Sequence, residues 1–205
     1  MQILHPNLIT ALAASRDAGI APVYFFWVRG KNRDTGATAT MGLWSGDEDI
    51  SQQVESPEGG FTTRPYLGGC NLRVDGIQYV ADLTDNPVTV SLSQIADASQ
   101  QLVRGYDVRL AYCEVHATSW VGGAFASQPQ LLWVGVIDDV LIATPEVGGE
   151  GQMGFSVRSD LMAQLTAVNP AKSSDSHQKR RQSGDRFSEY SGAIKARSIQ
   201  WYKAE

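Results

Sequence analysis

The side chains able to do chemistry are scattered along this chain rather than gathered into a motif. His5, His116 and His177 lie far apart, and nothing in their surroundings announces the three or four converging ligands that zinc needs, so ordinary surface or turn histidines are expected. Asp47-Glu-Asp49 and the pair Asp82 and Asp85 are acidic clusters of the kind that supply hard oxygen ligands. The EF-hand offsets of Gly and Glu are missing, so turn chemistry, with Asp satisfying local amides, is the expected role. Asp138-Asp139 interrupts two apolar runs. Neighbours on a strand point to opposite faces, so two such carboxylates do not share an acid–base site, and a hairpin turn is expected there. Serine is abundant without a Gly-x-Ser-x-Gly elbow or a base and orienter to activate it. Gly68-Gly69, Gly122-Gly123 and Gly148-Gly149 lack the following Lys-Ser/Thr of a phosphate loop and read as turns or bulges. No catalytic, cofactor-binding or metal-binding residues are therefore assigned, and an enzyme is not expected.

The composition is that of an ordinary folded domain: 205 residues, 42% hydrophobic and 19% charged. Cys70 and Cys113 form no Cys-x-x-Cys pair and are read as two buried thiols, with a disulfide left open. The first residues lack the basic and apolar regions of a signal peptide, and no apolar run reaches the ~18 residues of a membrane helix. A soluble product of the cytoplasm is the expectation. Charge is uneven. Residues 172–205 carry eight Lys/Arg and four Asp/Glu, a net of +4, whereas 1–171 carry nine and eighteen, a net of −9. An acidic body with a basic tail suits docking onto an acidic neighbour better than sequence-specific nucleic-acid binding. Lys179-Arg180-Arg181 is read accordingly as a solvated, protein-docking run.

The elements that would position these residues are mostly strands. A helix is expected over 5–19, with Leu8, Ile9, Leu12 and Ala13 as its apolar stripe and Gly19 as its stop. Residues 23–28, Val-Tyr-Phe-Phe-Trp-Val, are β-branched and aromatic without alternation, which predicts a strand covered on both faces. Exposed Trp rings there would instead mean a sugar-stacking platform. Residues 38–44 return as a hairpin partner, 50–54 form a short strand, and 66–79 two short strands around an Asp75-Gly76 turn. Residues 88–92 form a strand, and Ser93 caps a helix over 94–103. Residues 107–115 form a long strand with Val108, Leu110, Tyr112 and Val115 as apolar positions. Residues 131–137, 140–143 and 152–158 follow as strands, then a short helix through Leu165. The fold class is mainly β, an antiparallel β-sandwich or barrel with short helices, over 1–168. Residues 169–205 are read as an extended basic arm, polar at first and ending in the apolar anchors Ile194, Ile199, Trp201 and Tyr202.

The C-terminal stretch Arg180-Arg-Gln-Ser-Gly-Asp-Arg-Phe-Ser-Glu-Tyr-Ser-Gly-Ala-Ile-Lys-Ala-Arg-Ser-Ile-Gln-Trp201 resembles the baseplate, or tail-tip, hub proteins of long-tailed bacteriophages and gene transfer agents. Members often end this domain with a basic run, a Gly-Asp-Arg-aromatic turn, and an Ile before a closing Trp. Here these are Gly184-Asp-Arg-Phe187, Ile199 and Trp201. Leu43-Trp-Ser-Gly46, Tyr66-Leu-Gly-Gly69, the strand 88–92 and Leu132-Trp-Val-Gly-Val-Ile-Asp138 match looser positions of the pattern, in order. Some relatives extend into a Cys-rich domain thought to hold an iron–sulfur cluster. A Cys quartet is missing from these 205 residues, so no cofactor is expected in them.

The resemblance implies a structural virion protein with a tail-tube type of fold. It would be a ring in the tail tip that continues the tube and joins the distal tail protein to the central tip or fibre protein. A homo-trimer is expected, a hexamer as second choice, with genomic DNA passing the lumen without sequence-specific binding. An acidic lining would repel phosphate and let DNA slide. The arm, through Lys179, Arg180, Arg181, Arg186, Phe187, Ile199, Trp201 and Tyr202, would dock onto a neighbour. The alternative is a receptor- or carbohydrate-binding β module of the same tip, marked by exposed aromatics on a loop face.

Overall fold

A computed structural model describes residues 4–78, 84–147, 149, 151–165, 174–190 and 192–193. The chain divides into two compact units, Met1–Thr166 and Ala167–Glu205. The first is mainly β, built of antiparallel sheets that form a curled half-barrel with a few short helices.

The framework starts with β1 (Pro22–Asn32) and β2 (Thr38–Trp44), a hairpin in register from Phe25↔Trp44 to Lys31↔Thr38. The non-alternating aromatic run of β1 is covered on both faces, as its composition requires. Phe26 and Val28 enter the main core, while Val23 and Phe25 enter a second one with Trp44, Val54 and Tyr66. That second face is closed by a separate hairpin, β3 (Ile50–Glu55) and β4 (Phe61–Tyr66). The sequence pattern hides β4, because Phe61-Thr-Thr-Arg-Pro-Tyr66 has neither apolar alternation nor a proline-free centre.

The Asp75-Gly76 turn between two short strands is not what forms. β5 (Arg73–Asp75) pairs instead with the more distant β6 (Val88–Ser93). The helix after β6 starts later than expected: α2 spans Asp97–Gly105, follows Ala96 rather than Ser93, and buries Leu102 completely. β7 (Tyr106–Val121) is longer than the alternating stretch that announces it. A bulge between its ends leaves Leu110 at φ 57° and 67% exposed, so Leu110 is not a core position. Gly122 and Gly123, at φ 58° and 87°, make the tight turn from β7 into β8 (Ala124–Phe125).

Asp138-Asp139 is likewise no hairpin turn. β9 runs unbroken over Gln130–Ala143, and its pairing with β10 (Gln152–Ser159) steps from Ile137↔Val157 to Asp139↔Ser156. Asp138 is thus the extra residue of a β-bulge, tied to Arg158 at 3.3 Å. The sheet order is β2-β1-β7-β9-β10-β6-β5. Its curl wraps the main core of Val90, Cys113, Val115, Ile137, Phe155 and their neighbours, each large side chain contributing on the order of 1.5–3 kcal/mol.

Two helices flank this framework. In α1 (Pro6–Ala18) the expected stripe does not face the core: Leu8 is buried, but Ile9 and Leu12 are exposed. Asp160–Leu165 forms α3. In the second unit, residues 175–181 are not extended: Asp175–Arg181 is a helix, α4, with Asp175 in its first turn and three basic residues in its last, a distribution that complements the helix dipole.

Candidate functional site

The basic run falls on α4. Lys179 bonds Asp175 one turn earlier at 2.9 Å, which raises its pKa. Arg181 lies 3.9 Å from Asp185, and Arg180 and Arg186 are exposed. After the helix, the Asp185 carboxylate accepts the Phe187 N–H at 2.9 Å and fixes a turn that leaves the Phe187 ring 91% exposed. The structure thus places Lys179, Arg180 and Arg181 on one short helix and Arg186 and Phe187 on the turn beyond it. Ile199, Trp201 and Tyr202, and also Ile194, lie outside the described residues.

A second set of polar residues was not foreseen. In the β1–β7 ladder Trp27 faces Glu114, and Phe25 faces His116. Tyr112, Glu114 and His116 therefore stand on the face that the β3–β4 hairpin covers. Arg64 of β4 reaches down to Glu114, with Nη1 donating to Oε2 at 2.6 Å and Nη2 to Oε1 at 3.4 Å, and its guanidinium sits 4.8 Å from the Trp27 ring. Glu114 is 3% exposed and His116 fully buried, so His116 is not the surface or turn histidine its sequence context suggests. The His116 Nε2 lies 2.9 Å from the Glu55 carbonyl and 3.4 Å from Glu114 Oε2. The carbonyl can only accept, so the proton sits on Nε2, and Nδ1 is a buried acceptor without a partner.

Burial sets the titration of these groups. It lowers His116 to about 4, against smaller opposing effects of Glu55 and Glu114, so the ring is neutral at pH 7. It also pushes up the phenols of Tyr66 and Tyr112, the latter to about 12. A carboxylate neutralised by a forked guanidinium and sealed from water is placed to hold elements together. Arg64, Glu114 and the His116–Glu55 bond fasten the β3–β4 hairpin onto β7. The Glu55 carboxylate adds a bond from the Leu131 N–H at 2.9 Å.

One exposed aromatic, Trp120, stands at the rim of this second core. Trp120 is 43% exposed and meets Phe125 edge-on at 4.9 Å, and Phe125 in turn packs on Phe25 and Trp44. The Trp44 indole N–H donates to the Glu48 carbonyl at 2.6 Å, so the acidic turn 47–49 borders the same open cleft of about 530 Å³. Trp27, the tryptophan of the aromatic strand, is partly covered beneath Arg64. Cys70 and Cys113 are both free and buried. Among the described residues no three His, Cys, Asp or Glu side chains gather as a metal site, and no helix is long and apolar enough to cross a membrane.

No family model matches this chain, and no curated protein matches it. The class defined by fold and geometry is an antiparallel, mainly β domain, with one buried polar cluster that ties the β3–β4 hairpin to β7.

Proposed function

We propose that this chain is a structural protein of a long-tailed phage virion, forming a ring in the baseplate or tail-tip hub that continues the tail tube. The reading rests on the resemblance of 180–201 and the looser matches before it. The observation that carries it is a curled antiparallel half-barrel with a net-acidic sequence, followed by a separate basic unit that presents Arg180, Arg186 and Phe187 to solvent. An acidic tube lets DNA slide, and a basic segment with an aromatic anchor suits attachment to a neighbouring acidic subunit. In this reading the neighbours are further copies, as a trimer or alternatively a hexamer, with the distal tail protein and the central tip or fibre protein. The buried polar cluster supports it too, because its groups are sealed from any substrate.

The test is the composition of purified virions. Peptides of this chain are expected in stoichiometric amounts, three or six copies per tail, in density at the tail tip. Particles that infect normally and lack the chain end the proposal. A second reading, a carbohydrate-binding module of the tip, is favoured by the half-exposed Trp120 beside Phe125 and the acidic turn, since an aromatic face and carboxylates suit a sugar ring. Loss of glycan-array binding on Trp120→Ala would support it.

A further inference from the structure

We infer that Phe187, carried with Arg180 and Arg186 on the basic unit of one copy, inserts into the Trp120 cleft of a second copy, where Asp47 and Glu48 meet the two arginines. The inference rests on the hub reading, in which the neighbours are further copies, and adds the contact that would join them head to tail.

The receiving surface lies at the C-terminal end of β7. Trp120 is 43% exposed and stands edge-on to Phe125 at 4.9 Å. Trp44 and Ile50 line the open cleft of about 530 Å³ with them. Sites of about 300–1,000 Å³ take a whole small molecule, so a phenyl ring enters this one. The rim is acidic. Asp47 and Glu48 line it and are exposed, and neither makes an ion pair among the described residues. Asp49 differs, because its carboxylate accepts the Gly68 N–H at 3.0 Å. The Trp44 indole bonds the main-chain carbonyl of Glu48 at 2.6 Å, which holds the turn and leaves the Glu48 carboxylate free. Among the described residues no Lys or Arg lines the cleft.

The presented surface is its complement. The Asp185 carboxylate accepts the Phe187 N–H at 2.9 Å, and the Glu189 N–H donates to the Arg186 carbonyl at 3.1 Å, so residues 185–189 form a fixed turn. Ser188 is buried while the Phe187 ring is 91% exposed, so the turn presents the ring outward from a packed base. Arg186 precedes the ring and Arg180 lies on α4. Both are exposed, and neither is ion-paired among the described residues. Charge decides which surfaces meet. Residues 172–205 carry a net of +4 and 1–171 a net of −9, so body repels body and tail repels tail, and only tail to body attracts. Two different patches on each copy make a heterologous contact, the kind that a cyclic ring of three or six requires. The phenyl ring supplies the affinity and the charges choose the partner. A glycan would also stack on Trp120, but it leaves the two free arginines and the exposed ring without a counterpart, so a second copy is the occupant these surfaces favour.

The test is a charge exchange on the full-length chain, followed by light scattering at low salt, where surface charges are least screened. The wild type is expected to self-associate. Phe187→Ala is expected to weaken association about thirtyfold, the loss typical of an anchor residue. Its Tm should stay that of the wild type, because the ring is exposed, and this separates lost docking from misfolding. A chain with Arg180→Glu and Arg186→Glu, and a chain with Asp47→Lys and Glu48→Lys, are each expected to stay monomeric alone and to associate when mixed. In the mixture every cleft meets a basic or acidic unit of opposite sign. Recovery on mixing also separates contact between copies from a unit folding back within one chain. A wild type that stays monomeric, a mixture that does not recover, or a Phe187→Ala chain that associates like the wild type overturns the inference. Glycan binding in a chain that does not self-associate, lost on Trp120→Ala, would assign the cleft to a sugar instead. Virion composition decides the hub reading separately: a chain found at the tail tip that fails the mixing test closes its ring by another surface, and one that passes the test but is missing from virions assembles elsewhere.

Discussion

Truncating Arg64 to alanine leaves Glu114 as a carboxylate that is 3% exposed and without its guanidinium. Removing one partner of a buried ion pair costs about 3–5 kcal/mol. The Arg64 side chain is itself 12% exposed, so some water reaches the pair and the lower end, about 3 kcal/mol, applies. Losing the guanidinium from the Trp27 ring, at 4.8 Å, adds about 0.5–1 kcal/mol. The expected loss is about 4 kcal/mol. For a chain of this size each kcal/mol moves Tm by about 2–4 °C, so Arg64→Ala should melt about 8–16 °C early. The assay is urea and thermal unfolding of the full chain, completed by Glu114→Leu and by Arg64→Leu with Glu114→Leu. The double apolar replacement is expected to recover most of the loss, because no charge remains stranded. A loss below about 1 kcal/mol for Arg64→Ala would mean that water solvates Glu114. The β3–β4 hairpin would then not be sealed on β7, and the structural role given to the cluster would fall.

Further outcomes follow from the same packing. His116 lies beside the Glu55 carbonyl, Glu114 and Arg64, and burial sets its folded pKa at about 4, below the ordinary 6.5. The neutral ring therefore contributes stability that is fully present above pH 6.5 and is lost as the pH falls toward 4, about 3 kcal/mol in all. The difference in urea midpoint between wild type and His116→Gln, followed from pH 7 to 5, should show this one-proton slope. A parallel pair of curves would refute it. At Gly42 a side chain would run into the Pro65 carbonyl and the rings of Tyr66 and Trp27, the last at 2.9 Å. Gly42→Ala should thus destabilise by about 1–3 kcal/mol, read as a fall in Tm. Burial pushes up the thiols of Cys70 and Cys113, so both should resist a maleimide at pH 7 in the native chain and react fully in urea. Fast native labelling of either would contradict the packing.

How much was legible in the sequence depended on the range of the interaction. The β1–β2 hairpin, β6 and β10 could be read directly, because β-branched and aromatic runs bounded by turn residues carry their own signal. The double coverage of β1 was equally local: Val-Tyr-Phe-Phe-Trp-Val cannot leave either face in water. Gly122-Gly123 announced a turn for the same reason. Charge division between 1–171 and 172–205 is a property of the sequence alone.

What the chain pairs with at a distance was decided only by the tertiary structure. Asp138-Asp139 resembles a hairpin turn in isolation. In the fold, β10 runs past it on one side and ties Asp138 to Arg158, so the pair becomes a bulge within one strand. Leu110 fits the alternation of β7, yet the register shift against β1 turns it out into solvent. Tyr112, Glu114 and His116 recur at every second residue, the mark of a solvent face in a lone strand. Only the arrival of β4, whose own sequence barely reads as a strand, brings Arg64 over that face and makes a buried cluster of it. Periodicity reports which side chains share a face. What covers that face depends on contacts between residues as far apart as Arg64 and Glu114, and those no local pattern encodes.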